Sequence, residues 1–305
     1  MLVDRALVER LEHVEAVTTA HLVDALVATG SRDPVPVAVP LAGGVLVLTG
    51  PARYVNRAVG STLGPLSADD LALVVDRSAA AGVPAAVQLS SWAPEATTAA
   101  LREAGFAPVW CRSVLAVPLT SGPVTVGAPP GDALRAGAPP GDAVPGDAAR
   151  EDGVTAGAPP ADRVEVVAVG DDPGLAAAAA DVMVAEALAD GGDRSTSDEF
   201  MAADRVCRGT TQLLALLDGR PVGCGSLTVV EDEGTTTGWL GAAATVPSAR
   251  RRGVQTALVR HRLRLAAVAG CDVVGVTASV GSTSARVLQR CGAVLVEDQW
   301  VVQRG

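Results

Sequence analysis

The sequence predicts an α/β protein built as two similar lobes, and three observations carry that expectation. Runs alternating like strands and runs with helical spacing follow one another along most of the 305 residues. An order of helix, Gly, strand, helix, Gly, strand occurs twice. Ala81-Gly82-Val83-Pro84-Ala85-Ala86-Val87 is echoed by Ala269-Gly270-Cys271-Asp272-Val273-Val274-Gly275, and Leu101-Arg102-Glu103-Ala104-Gly105-Phe106 by Leu288-Gln289-Arg290-Cys291-Gly292-Ala293, at offsets of 188 and then 187. Chance likeness in an Ala/Val/Gly-rich chain is the competing explanation; matching order with matching offset favours repetition. Between the copies, Gly-Ala-Pro-Pro recurs from positions 127, 137 and 157, and large apolar residues are too few to offset ordering entropy. The expected units are therefore a domain at 1–120, a flexible Pro/Gly/Ala-rich linker at 121–162, and a second domain at 163–305.

In the first lobe, apolar residues from Leu7 to Leu26 recur at helical spacing, predicting a helix over 4–29 that Gly30 ends. Short strands at 35–39 and 45–48 are joined by a Gly43-Gly44 turn. Ser67 is a candidate N-cap, with Asp69 and Asp70 in the first turn, for a helix to about residue 81. A strand at 85–89, a helix at 94–104 and a long strand to 119 complete the lobe. The second lobe opens with a strand at 164–169, a helix at 173–189, a polar loop and a helix from about 197 to 206. Strands follow at 212–217, 221–230 and 237–246, the first two joined by a tight Asp218-Gly219-Arg220 turn. A helix at 254–268, a strand at 273–277, a helix at 282–290 and a last strand at 293–303 close the chain.

Apolar residues make up 49% of the sequence and aromatics only 2%, so the core must be built from Val, Leu and Ala. A net charge of −10 argues against a broad nucleic-acid or anionic-membrane surface. The five cysteines are scattered and unpaired in spacing, which points to reduced thiols in the cytoplasm, with no metal site and no disulfide framework. No apolar run approaches the ~20 residues of a membrane span, and the charged start does not read as a signal peptide.

The stretch most informative about function runs from Thr245 to Leu258. It joins the strand at 237–246 to the helix at 254–268 through Arg250-Arg251-Arg252-Gly253. A helix start exposes unpaired N–H groups and the positive end of the backbone dipole. Arginines there oppose the helix unless an anion joins them, and a glycine lets that anion approach the backbone. A phosphate or diphosphate suits such a corner. Arg260, Arg262 and Arg264 extend positive charge along the same helix without interleaved aromatics, which leaves nucleic acid a poor rival.

The wording Val246-Pro247-x-x-Arg250-Arg251-Arg252-Gly253-Val254-Gln255-x-Ala257-Leu258 resembles the cofactor-binding segment of the GCN5-related N-acetyltransferases, in which Arg or Gln, two residues, Gly, one residue and Gly or Ala hold the diphosphate of acetyl-CoA. Gln255 departs from the pattern at its sixth position. The resemblance implies two GNAT-like lobes, each a mixed, mostly antiparallel sheet flanked by helices. It also implies backbone N–H donors from Arg251, Arg252, Gly253, Val254, Gln255 and Thr256. Arg250 stands beside them, and Ala244, Thr245 and Val246 pair with the pantetheine arm in an opening between the strands at 237–246 and 273–277. The first lobe has Gly60-Ser61-Thr62-Leu63-Gly64-Pro65 in place of the arginine corner, so it reads as a degenerate copy that has lost the cofactor.

The remaining chemistry is less well supplied. Family members carry an Asn in the last helix and a Tyr soon after it that protonates the leaving thiolate; here those places align with Val287 and Glu297. The single tyrosine, Tyr54, lies in the other lobe. Ser282 and Ser284 are weak candidates for the donor, Ser282 reading more readily as an N-cap. Glu231 is a weak candidate base in an otherwise ordinary acidic turn with Asp232 and Glu233. Trp239 either lines the acceptor pocket or packs, and His261 and Cys291 read as structural. Asp190, Asp193, Asp198 and Glu199 form an acidic stretch that could attract a cationic amine. The expected activity is acetyl transfer from acetyl-CoA, as co-substrate, to a primary amine of a small molecule, by a monomer or homodimer. The alternative is an acyl-CoA-binding sensor or scaffold with little turnover.

Overall fold

The computed structural model describes residues 3–31, 34–53, 55–119, 164–189, 191–232 and 234–305. The expected linker at 121–162, with Tyr54, Asp190 and Glu233, lies outside them. The first half runs α1 (Arg5–Ala28), β1 (Val37–Leu41), β2 (Gly44–Leu48), β3 (Asn56–Val59), α2 (Ala68–Ala80), β4 (Ala86–Ser90), α3 (Glu95–Glu103) and β5 (Phe106–Pro118). The second runs β6 (Val164–Ala168), α4 (Pro173–Ala189), α5 (Arg194–Val206), β7 (Thr210–Leu217), β8 (Arg220–Asp232), β9 (Thr235–Thr245), α6 (Val254–Val268), β10 (Val273–Ser279), α7 (Thr283–Arg290) and β11 (Val294–Arg304).

Most expected elements appear within two or three residues of their expected ends, and α4 and α6 coincide with them. Two differences have local causes. β3 is too short and polar for a periodicity to reveal it, and its register is set by β2. α5 begins at Arg194 because Asp193 caps it, its carboxylate accepting from the Thr196 N–H at 2.8 Å.

The repetition is visible in space. α2 connects β3 to the parallel β4, and α6 connects β9 to the parallel β10. Instead of two sheets, however, the strands form one, in the order β1-β2-β3-β4-β11-β5-β10-β9-β8-β7-β6. The last strand of each half lies in the other half. β5 pairs antiparallel with β10 from Val273↔Pro118 to Ser279↔Arg112, while β11 lies between β4 and β5. Leu115 and Val117 of β5 enter the core formed by α6, α7 and β10, and Val302 of β11 enters that of the first half. The result is an α/β fold with one large mixed sheet flanked by helices.

α1 packs against both halves. Val8, Leu11 and Val14 cover Val114, Trp239, Val273 and Val296, and Leu26 meets Ala203 and Cys207 of α5. Trp239 is a packing residue here. Its ring lies so close to Gly275 that a Cβ there would sit 2.5 Å from it, so β10 needs glycine at that point. Ion pairs tie the same seam. Arg10 makes a two-pronged contact with Asp272 and donates to Thr237 at 2.7 Å, and Arg53 meets Glu199 of α5 at 3.1 Å.

Beneath α1 is a buried polar cluster built from both halves. Arg112 of β5 contacts Glu15 and the side-chain oxygen of Gln88. Gln299 of β11 donates to Glu12 at 2.6 Å, and Glu297 accepts from Ser90. Burial and the neighbouring Glu297 and Glu15 raise the Glu12 carboxyl well above its ordinary range, and burial raises Glu297 too. The folded protein therefore retains a proton that the unfolded chain releases above the ordinary carboxylate pKa. Stability from this cluster is full in acid and falls as pH rises from that range toward the folded value. Replacing Glu12 by Gln keeps the site neutral, so urea midpoints measured between pH 6 and 9 should vary less with pH than those of the parent. An unchanged slope would show that Glu12 is ionised.

No helix among the described residues is long and apolar enough to cross a membrane, and no His/Cys/Asp/Glu group among them could hold a metal ion.

Candidate functional site

The site begins where β9 leaves β10. Their parallel register runs from Val273↔Thr237 to Val276↔Leu240 and then stops. Past Leu240, β9 bulges against β8, with Ala242 in the left-handed region at φ 46°. Residues 241–245 therefore pair with β8 on one edge and, among the described residues, with no strand on the other. Arg262 supports the bulge from behind. It is fully buried and donates to the carbonyls of Ser226 at 3.3 Å and Gly241 at 3.2 Å. This corrects the expectation that Arg262 extends the corner's positive charge along the helix. Arg262 interacts electrostatically with the buried Asp204 of α5, which accepts from Ser226 at 3.0 Å and Gln212 at 3.1 Å and whose pKa burial raises to about 6.

After a single turn at Pro247–Ala249, Arg251 takes φ 65° and Gly253 φ 83°, and α6 starts. Gly253 is its N-cap, so no side chain caps the helix, and its first turn has no acidic residue. The first N–H groups of α6 thus point outward without intrahelical acceptors. A cavity of about 650 Å³ opens in front of them. It is lined by Ala244 and Thr245 from β9, by Arg250, Arg251, Gly253, Val254, Gln255 and Thr256 from the corner, by Thr283, Ser284, Val287 and Arg290 from α7, and by Glu186 from α4. Gln255 folds across the strand end, accepting from the Thr245 hydroxyl at 3.5 Å. That gives the unusual sixth position a local structural use. The donor set, an open helix start flanked by arginines, fits an extended ligand bearing phosphates.

The first half supplies a contrast. α2 is closed by its own side chains. Ser67 accepts from the Asp70 N–H at 3.1 Å while Asp70 accepts from the Ser67 N–H at 2.9 Å, with Asp69 alongside. Two carboxylates at a helix start repel an anion. The space between β3 and β4 is filled as well. The fully buried Thr62 accepts from the Ser90 N–H at 3.0 Å and donates to the Gln88 carbonyl at 3.1 Å.

Several expected residues stand elsewhere. Arg252 does not line the cavity; it reaches back to Asp218 at 4.0 Å. Val246 also lies outside the lining, its N–H held by the Val222 carbonyl at 3.0 Å. Ser282 is the N-cap of α7, accepting from Ala285 at 3.1 Å, whereas Ser284 faces the cavity. Glu231 pairs with Thr236 near the hairpin end of β8 and β9, seven residues before Ala243. At ~3.3 Å per residue that is roughly 23 Å from the site, which removes it as a base. The strand exchange carries Glu297 into the cluster under α1, so it is no counterpart of a proton donor at this cavity. His261 lines a different hollow, beside β6 and Asp218. Among the acids expected to attract an amine, Asp193 caps α5, Asp198 lies 3.9 Å from Arg194, and Glu199 bridges to Arg53. Glu186, missed in the sequence, reaches the cavity because α4 crosses β9; in isolation it is one acid in a helix of alanines.

Residues 182–293 match the model of the acetyltransferase (GNAT) family. The C-terminal half belongs to that family. Most of the chain superimposes on the GCN5-related N-acetyltransferase from Kribbella flavida with a TM-score of 0.55 at 17% identity, covering 93% of this chain and 95% of that one. At that identity the likeness establishes the fold. A GCN5-related N-acetyltransferase from Sphaerobacter thermophilus gives a TM-score of 0.44 at 18% identity, with coverages of 72% and 60%. Among curated proteins, no sequence matches this chain. The GNAT match contains the arginine corner, the bulged strand end and Glu186, and stops before the exchanged strand β11. The chain is an acyltransferase, and β5 of its N-terminal half completes the sheet of the matched segment.

Proposed function

We propose that the chain transfers an acetyl group from acetyl-CoA to a primary amine of a small molecule. The observation that carries this reading is the uncapped, acid-free start of α6, open to a cavity with Arg250 and Arg251 at its rim. Acetyl-CoA would supply the thioester, an acyl group already activated toward an amine. The α6 N–H groups and the Thr256 hydroxyl would hold its diphosphate. The free edge of Ala244 and Thr245 would hold the arm and aim an N–H at the carbonyl, polarising it for attack. The amine attacks that carbon, loses a proton, and the C–S bond breaks with a proton going to sulfur. Ser284 is the α7 hydroxyl candidate for that donor, with Thr283 beside it. The N-terminal half reads as a copy that has lost the cofactor. The protein is proposed to work in the cytoplasm as a monomer or homodimer.

Calorimetry on the full chain should detect binding of CoA. A double Arg250→Ala, Arg251→Ala variant should bind about ten- to a hundredfold more weakly, two charge-assisted contacts being lost. Arg252→Ala should bind nearly as the parent does. Amine-dependent release of free CoA from acetyl-CoA then tests the transfer itself. A second reading is favoured by the placement of Glu231 at the far hairpin end and of Glu297 in the cluster under α1: an acyl-CoA-binding sensor with slow turnover. It predicts saturable binding without amine-dependent release. Salt-sensitive oligonucleotide binding that CoA does not displace would oppose both.

A further inference from the structure

The cavity contains a group that works against its expected ligand. Glu186 stands on its α4 wall, 3.9 Å from the Arg250 guanidinium, with both side chains partly exposed, at 30% and 47%. It is the one carboxylate among the residues lining this cavity. It also lies in the last turn of α4, whose C-terminal end is the negative end of its dipole. A phosphate-bearing ligand arriving at Arg250 therefore meets a negative wall opposite a positive corner. A carboxylate placed there weakens binding of an anion unless it serves another step.

We infer that Glu186 is an internal competitor for Arg250. It neutralises the arginine when the cavity is empty, yields it to the diphosphate on binding, and takes it back as free CoA leaves, which speeds product release. This rests on the reading of the cavity as the acetyl-CoA site. Glu186 is a positioning residue in this scheme, acting through Arg250 and taking no proton from substrate.

The test is a double-mutant cycle on the full-length protein, read by calorimetry with CoA and by stopped-flow dissociation. Glu186→Gln, close in shape, should tighten CoA binding about two- to fivefold, the range of a half-exposed charge pair. The gain should appear as slower dissociation. Arg250→Gln should weaken binding, and adding Glu186→Gln to it should change affinity by less than about twofold, because the competition has lost its object. Unchanged or weaker binding by Glu186→Gln overturns the inference, as does an equal gain with and without Arg250. If the parent protein itself binds no CoA, the reading of the cavity fails first. If the parent binds and the cycle shows no coupling, only the role of Glu186 fails.

Discussion

Residues 163–305 expressed alone should fail to reach the fold they have in the full chain. The proposed unit contains every element of the GNAT match, but its sheet is incomplete without β5. The edge of β10 loses all of its antiparallel partner, and the core around α6 and α7 loses Leu115, Val117 and Leu119. On the opposite face Val114 goes as well. Four buried side chains at ~1.5–3 kcal/mol each come to about 6–12 kcal/mol, as large as the whole stability of an ordinary domain. β11 is a poor substitute. Folded back onto β10, it would bring Glu297 and Gln299 away from Glu12, Arg112 and Ser90, which satisfy them now. The fragment is expected to be insoluble or to melt without a cooperative transition. Co-expression with residues 1–120 should restore a soluble complex that binds CoA. A monomeric fragment with a sharp unfolding transition would show that the exchanged strand is dispensable.

Replacing Arg262 with Met should destabilise the protein by about 3–5 kcal/mol, the usual cost of removing one member of a buried charged network. The Ser226 and Gly241 carbonyls lose a donor, and Asp204 loses the cation that favours its ionised form. The pH dependence identifies the cause. Asp204 titrates at about 6 in the folded protein, raised from the ordinary 3.8 by burial. Its folded form thus holds a proton that the unfolded chain gives up, and its ionisation weighs on stability as pH climbs toward 6. Without Arg262 the buried anion is less well compensated, so the loss should be larger at pH 8 than at pH 5. Adding Asp204→Asn should remove most of that difference. Equal losses at both pH values would assign the whole effect to the carbonyl donors. Because the Gly241 carbonyl marks the point where β9 leaves β10, CoA affinity should fall even where the variant stays folded.

Local chemistry reveals some of these residues and hides others. The arginine corner was legible because its conflict is local: three cations at a helix start, with Gly253 in place of a cap, call for an anion whatever surrounds them. The Ser67 cap of α2 was legible for the same reason. Arg262 was not. On the helix it sits between Arg260 and Arg264, and only packing against Gly225 and the bulge decides which of the three is buried. Glu186 likewise needs α4 laid over β9 before it meets Arg250.

The order of residues alone carries a repeated α/β pattern, most of its elements, and a helix start whose three arginines call for an anion. Only the tertiary structure decided that the repeats trade their last strands, that Glu297 goes with them, and that a carboxylate faces the arginines. The reason is that both copies end in a long strand, residues 106–118 and 294–304, and strand character alone does not choose a neighbour. A strand's period reports which side chains share a face, but the choice of neighbour depends on partners far away in the chain, such as Arg112 for Gln299 and Ser90 for Glu297.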